Sequence, residues 1–236
     1  MCIRDRGYWW WSPGIRSSSN ASWVKWLYVR LFGTFVYLFN EMTARYSRAY
    51  ARKYLTDGGH FENSGAYALI RRRVPLILVT DNGGDPNYAF EDLENLVRLV
   101  RLDLGGDLTL LGGTELQAFL DRLGTVDRSI FVDPAAGQPW RASFAAPAAN
   151  DVVPSAKFVL VLRVVIAGET LHLIWLKPRL LPDMPHDVAG YATANPAFPQ
   201  QTTGDQFFDE AQWESYRALG ELSMTRLLAC CTTLLA

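Results

Sequence analysis

Apolar residues along this 236-residue chain fall into blocks of different period, and the periods predict its elements. Residues 7–22 open with Tyr8-Trp9-Trp10-Trp11 and pass into Pro13, Gly14 and three serines, which reads as a loop with an aromatic anchor. Residues 23–52 read as helix, apolar nearly all round between Trp26 and Phe39. That apolar stretch contains Arg30 and is shorter than the ~20 residues needed to cross a bilayer. It suits a buried core helix or an interfacial one, and core packing is the preferred reading. Residues 74–80, Val-Pro-Leu-Ile-Leu-Val-Thr, run apolar without alternation and predict a strand buried on both faces of a parallel sheet. With a short β-type run ending at Asp57 and a helix from about Ser64, they form a strand–helix–strand unit expected to be right-handed.

Further along, Phe90, Leu93, Leu96, Val97, Val100 and Leu104 recur at helical spacing and predict a helix over 89–104. A short strand follows at 108–111. A helix at 114–123 has Thr114 as a cap and Gly124 as a stop. Residues 132–156, rich in Ala and Pro, read as a surface loop. Residues 157–167 and 169–177 read as a β-hairpin turning at Gly168. Prolines punctuate 178–203, which reads as irregular, and 205–222 is a last amphipathic helix. The pattern is that of an α/β fold: a largely parallel sheet flanked by helices, with the β-hairpin as an addition.

Composition narrows this little. A net charge of −1 gives no reason to expect nucleic-acid binding. Cys2, Cys230 and Cys231 make neither a disulfide framework nor a metal site, and a reducing compartment follows. Arg71, Arg72 and Arg73 form one tight basic run, read as a solvated helix end. Arg45, Arg48, Arg52 and Lys53 put a basic face ahead of the chain's most informative stretch. Residues 1–6, Met-Cys-Ile-Arg-Asp-Arg, read as a non-biological lead and stay outside the fold. Residues 223–236 lose their charge after Arg226 and are left as a tail of uncertain character.

That informative stretch is Asp57-Gly58-Gly59-His60-Phe61-Glu62-Asn63, followed by a helix, the 74–80 strand and Asp81-Asn82-Gly83. A carboxylate at a strand's carboxyl end, followed by glycines, sits where an open α/β sheet places working groups. The stretch resembles the Asp-Gly-Gly element of patatin-like phospholipases, in particular their large membrane-associated bacterial branch. Tyr8-Trp9-Trp10, Trp175-Leu176-Lys177-Pro178 and the run from Gln201 to Arg217 resemble further parts of that branch.

The resemblance implies a Ser–Asp dyad acting on lipid esters, with Asp57 as its base. A free aspartate, with pKa ~3.9, is a poor base for an alcohol, and desolvation among Tyr54, Leu55 and Phe61 would raise it. Gly58 and Gly59 would shape the turn and let the serine-bearing turn approach. His60 and Asn63 are candidates to hydrogen-bond behind the aspartate, and Glu62 and Asn63 to cap the next helix. No Gly-x-Ser-x-Gly elbow occurs in the chain, and Pro13 to Ser17 resembles the family's oxyanion loop only faintly. Residues 53–222 therefore read as the C-terminal part of a patatin-like catalytic domain, with 7–52 an aromatic loop and apolar helix. The nucleophile-bearing N-terminal half of the domain is an expected partner, as are a lipid ester and a membrane surface. No metal or cofactor is expected, and the location implied is membrane-associated or cytoplasmic in a bacterium.

The alternative is a non-enzymatic lipid- or membrane-binding module. Competing local readings are structural. Asp81, Asp85 and Asp92 fail as a calcium loop, because Pro86 replaces the turn glycine, and read as turn and cap residues. His60 has only His172 and His186 as distant imidazole partners for a metal. Asp205, Asp209, Glu210 and Glu214 read as a solvated acidic face that could meet the Arg71–Arg73 end.

Overall fold

The computed structural model describes residues 8–11, 32–33, 35–40, 42–43, 45, 52–55, 58–134, 144, 154–202, 204 and 207–231. The chain divides into two compact units, residues 1–61 and 62–236.

In the first unit, β1 (Tyr8–Trp11) pairs antiparallel with β2 (Arg52–Leu55), Tyr8 opposite Leu55 and Trp11 opposite Arg52. The aromatic run expected in a loop is thus a strand, in keeping with the preference of Trp and Tyr for pleated pairs. It also corrects the strand–helix–strand unit: β2 belongs to a two-stranded sheet with β1, not to the sheet that holds residues 76–80. Residues 32–42 are helical where described. Here the core reading fails, because Phe32, Phe35, Leu38, Phe39 and Met42 stand 48–79% exposed.

The second unit is built on a four-stranded mixed sheet in the order β3 (Leu76–Thr80), β6 (Glu169–Leu176), β5 (Val159–Ile166), β4 (Asp107–Leu110). Only β3 and β6 run parallel; the other two pairs are antiparallel. The hairpin is therefore the spine of the sheet rather than an addition to it, and the sheet is not largely parallel. Burial explains the placement. β5 and β6 alternate between two covered faces and are almost wholly buried. Each buried Val or Leu there contributes roughly 1.5–3 kcal/mol. β3, expected to be buried on both faces, buries only Ile77 and Val79 and leaves Leu76 and Leu78 at 37% and 43% exposure, as an edge strand does. The hairpin turn, Ala167-Gly168, has φ of 52° and 84°, the sign combination of a type I′ turn that matches strand twist.

Helices cover both faces. On one, α1 (Ala66–Arg71) and α2 (Glu91–Leu104) pack Ile70, Leu93 and Leu96 against Ile77, Leu162 and Trp175. On the other, α3 (Gly113–Arg122), α4 (His186–Ala194) and α5 (Glu210–Cys230) bring Leu116, Leu120, Val188 and Leu219 onto Val161 and Ile174. α2 begins behind Asp85, whose carboxylate accepts from the N–H groups of Ala89 and Phe90 at 2.7 and 2.8 Å. It ends at Gly105, φ 59°. The cap of α3 lies two residues before the expected Thr114: it is Gly112, and Asp133 accepts from Gly113 N–H at 2.7 Å. Gly124, φ 61°, follows that helix as expected. α4 falls in the stretch read as irregular, its N-cap the very Pro185 that suggested a break. α5 is capped by Asp209, which accepts from Gln212 N–H at 2.7 Å. It runs past the expected end, into the uncertain tail as far as Cys230, and buries Leu227 and Cys230.

Candidate functional site

β3 and β6 are parallel, so both point their carboxyl ends the same way, and the residues that follow, Asp81 and Lys177, meet there. Lys177 Nζ donates to Asp81 Oδ1 at 2.9 Å and to the carbonyl of Gly83 at 3.0 Å; both side chains are 2% exposed. Trp175 Nε1 donates to the other oxygen of Asp81 at 3.3 Å. Asp85 lies 3.8 Å from Lys177. Asp92 accepts from Asn63 Nδ2 at 3.0 Å. Burial raises the pKa of Asp81, and the Lys177 ammonium opposes that rise. Without its lysine the buried carboxylate would keep only the N–H donors of Trp175 and Gly83, with no counter-charge.

Next to this knot lies a cleft of about 490 Å³. It sits between the loop after β3, the segment after β6 and one side of α5. Its mouth is laced by amides. Gln200 accepts from Asp85 N–H at 3.0 Å and donates to the Pro178 carbonyl at 2.7 Å. Gln201 accepts from Gln212 at 3.2 Å and donates to the Tyr191 hydroxyl at 3.3 Å. Gly84 is required for this closeness: a Cβ there would lie 2.8 Å from the Gln201 carbonyl oxygen. Phe208, Trp213 and Tyr216 supply the aromatic wall, with Phe208 stacked on Tyr216 at 5.9 Å. Burial raises the Tyr216 phenol above its ordinary range, so it stays a neutral hydroxyl, and it accepts from Gln201 N–H at 3.3 Å. Arg217 is the cationic residue of the mouth, already held by Glu214 and Glu221 at 2.7 Å. A crevice beyond the carboxyl ends of parallel strands, mostly apolar with a few convergent polar groups, has the form of a small-molecule site.

The sequence-predicted site residues distribute unevenly. Asp57 lies outside the described residues, as do residues 1–6, the Pro13 to Ser17 run and residues 232–236. Gly58, Gly59 and His60 form a 3-10 turn directly after it, closed by Phe61 N–H to the Gly58 carbonyl at 2.9 Å. A Cβ on Gly58 would meet nothing within 4 Å. Asn63 does not cap the next helix; it joins Asp92 at the knot. Glu62 does the capping, accepting from Ser64 N–H at 2.7 Å and Tyr67 N–H at 3.3 Å, and it bonds the Ser64 hydroxyl. Asp85 has the cap duty expected of it; Asp81 has its turn duty as well, accepting from Gly83 N–H at 3.2 Å, and is in addition an ion-pair partner. Among the described residues no group of His, Cys, Asp or Glu could hold a metal ion. Arg73 pairs with Glu169 at 3.4 Å, not with the acidic face of the last helix. No helix of the described residues is long and apolar enough to cross a membrane.

Lys177, Tyr216 and Gly220, which build the cleft and its floor, were missed as site residues. The available signal was a lysine directly after an apolar strand run, which has to find a counter-charge if the run is buried. Comparison of the chain with family models, curated proteins and solved structures finds no match.

Proposed function

We propose that this chain is the C-terminal, aspartate-bearing part of a patatin-like serine acyl hydrolase that cleaves lipid esters at a membrane. In this reading Asp57 takes the proton of a serine hydroxyl as that oxygen attacks the ester carbonyl, then returns it to the departing alcohol. Water next removes the acyl group from the serine by the same route. The serine and the oxyanion donors come from a polypeptide segment other than these 236 residues, so the chain by itself does not turn over esters.

The observation that carries the reading is the unbroken Asp-Gly-Gly-His-Phe-Glu-Asn string with its tight turn at Gly58–His60. It is followed in order by α1 and by β3, at whose carboxyl end a ligand-sized cleft opens. The open space beside Gly58 is what a close-approaching turn from a second segment requires.

The test is reconstitution. The chain is mixed with a separately produced N-terminal half that carries a Gly-x-Ser-x-Gly elbow, and release of p-nitrophenol from a medium-chain ester is followed. Turnover is expected only from the mixture, and Asp57→Ala is expected to lower it by roughly 10²-fold or more, the loss of a general base. Equal turnover by both versions removes Asp57 from the mechanism.

One observation favours a lipid-binding module as a second reading. Phe32, Phe35, Phe39 and Met42 recur at i, i+3, i+7 and i+10 and all stand exposed, the stripe of an interfacial helix. Vesicle binding that persists in Asp57→Ala, with no turnover on reconstitution, would support it.

A further inference from the structure

The open sheet of the second unit has two edges, and they are guarded unequally. β4, at one edge, opens with the exposed charge of Asp107. β3, at the other, reads Leu76-Ile77-Leu78-Val79-Thr80, with neither a charge nor a proline inside it. Those are the devices that keep an edge strand from pairing with another chain. Pro75 does not serve as one. Its carbonyl accepts from His172 N–H at 2.9 Å, so its missing N–H lies on the β6 side.

The ladder fixes which peptide groups are open. The Pro75 carbonyl goes to β6, and so does Asp81 N–H, which donates to the Leu176 carbonyl at 2.9 Å. Alternate residues turn their peptide groups to opposite sides, so Leu76, Leu78 and Thr80 direct N–H and C=O to the open edge. Among the described residues nothing hydrogen-bonds these groups. The side chains of the same three residues share one face and are all exposed. Ile77 and Val79 hold the strand to the core from the other face. Unpaired backbone and an apolar strip therefore coincide.

Charge at the two ends of β3 selects the occupant and its direction. The strand is preceded by Arg71 and Arg72, both exposed and neither ion-paired among the described residues. Beyond its carboxyl end, Asp85, Glu91 and Asp92 gather around a small polar cavity, Glu91 exposed. A second copy laid antiparallel sets the arginines of each copy toward the carboxylates of the other, twice over. A parallel copy would set like charges together. With a two-fold axis at Leu78, Leu78 lies opposite its own counterpart and Leu76 opposite Thr80, so every open group is paired. A two-residue slip leaves one open residue of each copy without a partner.

We propose that this chain forms a two-fold dimer by antiparallel pairing of β3 with β3 of a second copy, Leu78 on the axis, so that the two sheets become one. The inference goes beyond the hydrolase reading and needs neither Asp57 nor a serine. The contact is one strand and a short apolar strip, so the dimer is weak and reversible.

The test is sedimentation velocity of the full chain across a range of about 1–200 µM, where a monomer–dimer equilibrium with Kd on the order of 10 µM is expected. Leu78→Lys and Leu78→Glu should each weaken it at least roughly tenfold, because like charges then face each other at the axis. An equimolar mixture of the two should return to within about threefold of wild type. Melting temperatures should hold, since the Leu78 side chain stands 43% exposed. Val126→Lys, at a residue 75% exposed outside the sheet, should change nothing. Should the Leu78 variants melt early, the outer pairs test the same register. Leu76→Lys with Thr80→Glu in one chain should still dimerise, and Leu76→Lys with Thr80→Lys should not. A wild type that stays monomeric throughout, as it would if β3 serves a different polypeptide, overturns the proposal. So does a dimer that folded Leu78→Lys leaves intact, as one made through the Phe32–Met42 stripe would be, or a mixture that does not recover. None of these outcomes touches the Asp57 test, and loss of turnover in Asp57→Ala would leave the dimer unaffected.

Discussion

Two ion-pair clusters border the cleft. On one side Lys177 and Asp81 lie 2.9 Å apart, each side chain 2% exposed. On the other Arg217 holds Glu214 and Glu221 at 2.7 Å, with side chains 52%, 47% and 65% exposed. The distances are alike and the exposure is not. The exposed cluster lies along one helix at i,i+3 and i,i+4, where water screens each charge with or without its partner. The buried pair joins the ends of two strands 96 residues apart in sequence. Neither charge can be solvated if the other leaves. Geometry sets which charges meet, and burial sets what the meeting is worth.

The largest effect that can break this comparison is removal of Lys177. Lys177→Met is expected to destabilise the second unit by about 3–5 kcal/mol, because it leaves the buried Asp81 carboxylate without its counter-charge. Urea unfolding at neutral pH measures it. Adding Asp81→Leu to the same chain should recover most of the loss, since a buried pair replaced by apolar groups of similar size is often neutral. A double variant as unstable as Lys177→Met would mean that the loop after β3 depends on Asp81 for its backbone bond to Gly83 N–H, 3.2 Å, rather than for its charge.

This division also marks what the residues disclosed in advance. Helix α2 and the hairpin were legible because their signals are local: a 3.6-residue stripe, and two β-rich runs about Gly168. The sheet's composition was not legible. A continuous apolar run such as residues 74–80 reads the same whether both faces are covered or one is left open, and only the neighbours decide. The pairing of Tyr8–Trp11 with Arg52–Leu55 spans more than forty residues and leaves no local trace. At the site, Gly58 and Gly59 were legible as turn formers from type and spacing. The cleft was not, because its walls come from three stretches brought together only by the parallel pairing of β3 with β6. α4 was lost to its flanking prolines, one of which is its cap.

An intermediate case sharpens the comparison. His172 stacks on Phe119 at 4.6 Å, half-buried. Its pKa is held below the ordinary range, first by burial and then by Arg122 and Arg163. The folded state therefore binds the proton less tightly than the unfolded chain does. The associated stability is complete above the unfolded value of about 6.5 and is lost as pH falls from there through the depressed folded value. Melting temperature followed from pH 7.5 downward should fall more steeply for wild type than for His172→Gln, the curves separating just below pH 6.5. Parallel curves would mean that the imidazole relaxes into water on protonation and belongs with the exposed cluster.

The smallest effect is expected at Arg217, and it carries the sharpest contrast. Arg217→Gln removes two ion pairs as short as the buried one, together with all three hydrogen bonds from the guanidinium to carboxylates. Yet the melting temperature should not move measurably at about 0.15 M salt, where screening acts over ~8 Å. At low salt the freed Glu214 and Glu221 lose their counter-charge on one helix face, and a slight loss should emerge that salt abolishes. The pattern separates two accounts of this helix. If stability falls by as much as it does for Lys177→Met, and salt does not restore it, the guanidinium is holding α5 against the amide lace of the mouth. If it does not fall, α5 is held by Leu219, Leu227 and Cys230 beneath it. Its charged face then has no structural duty of its own.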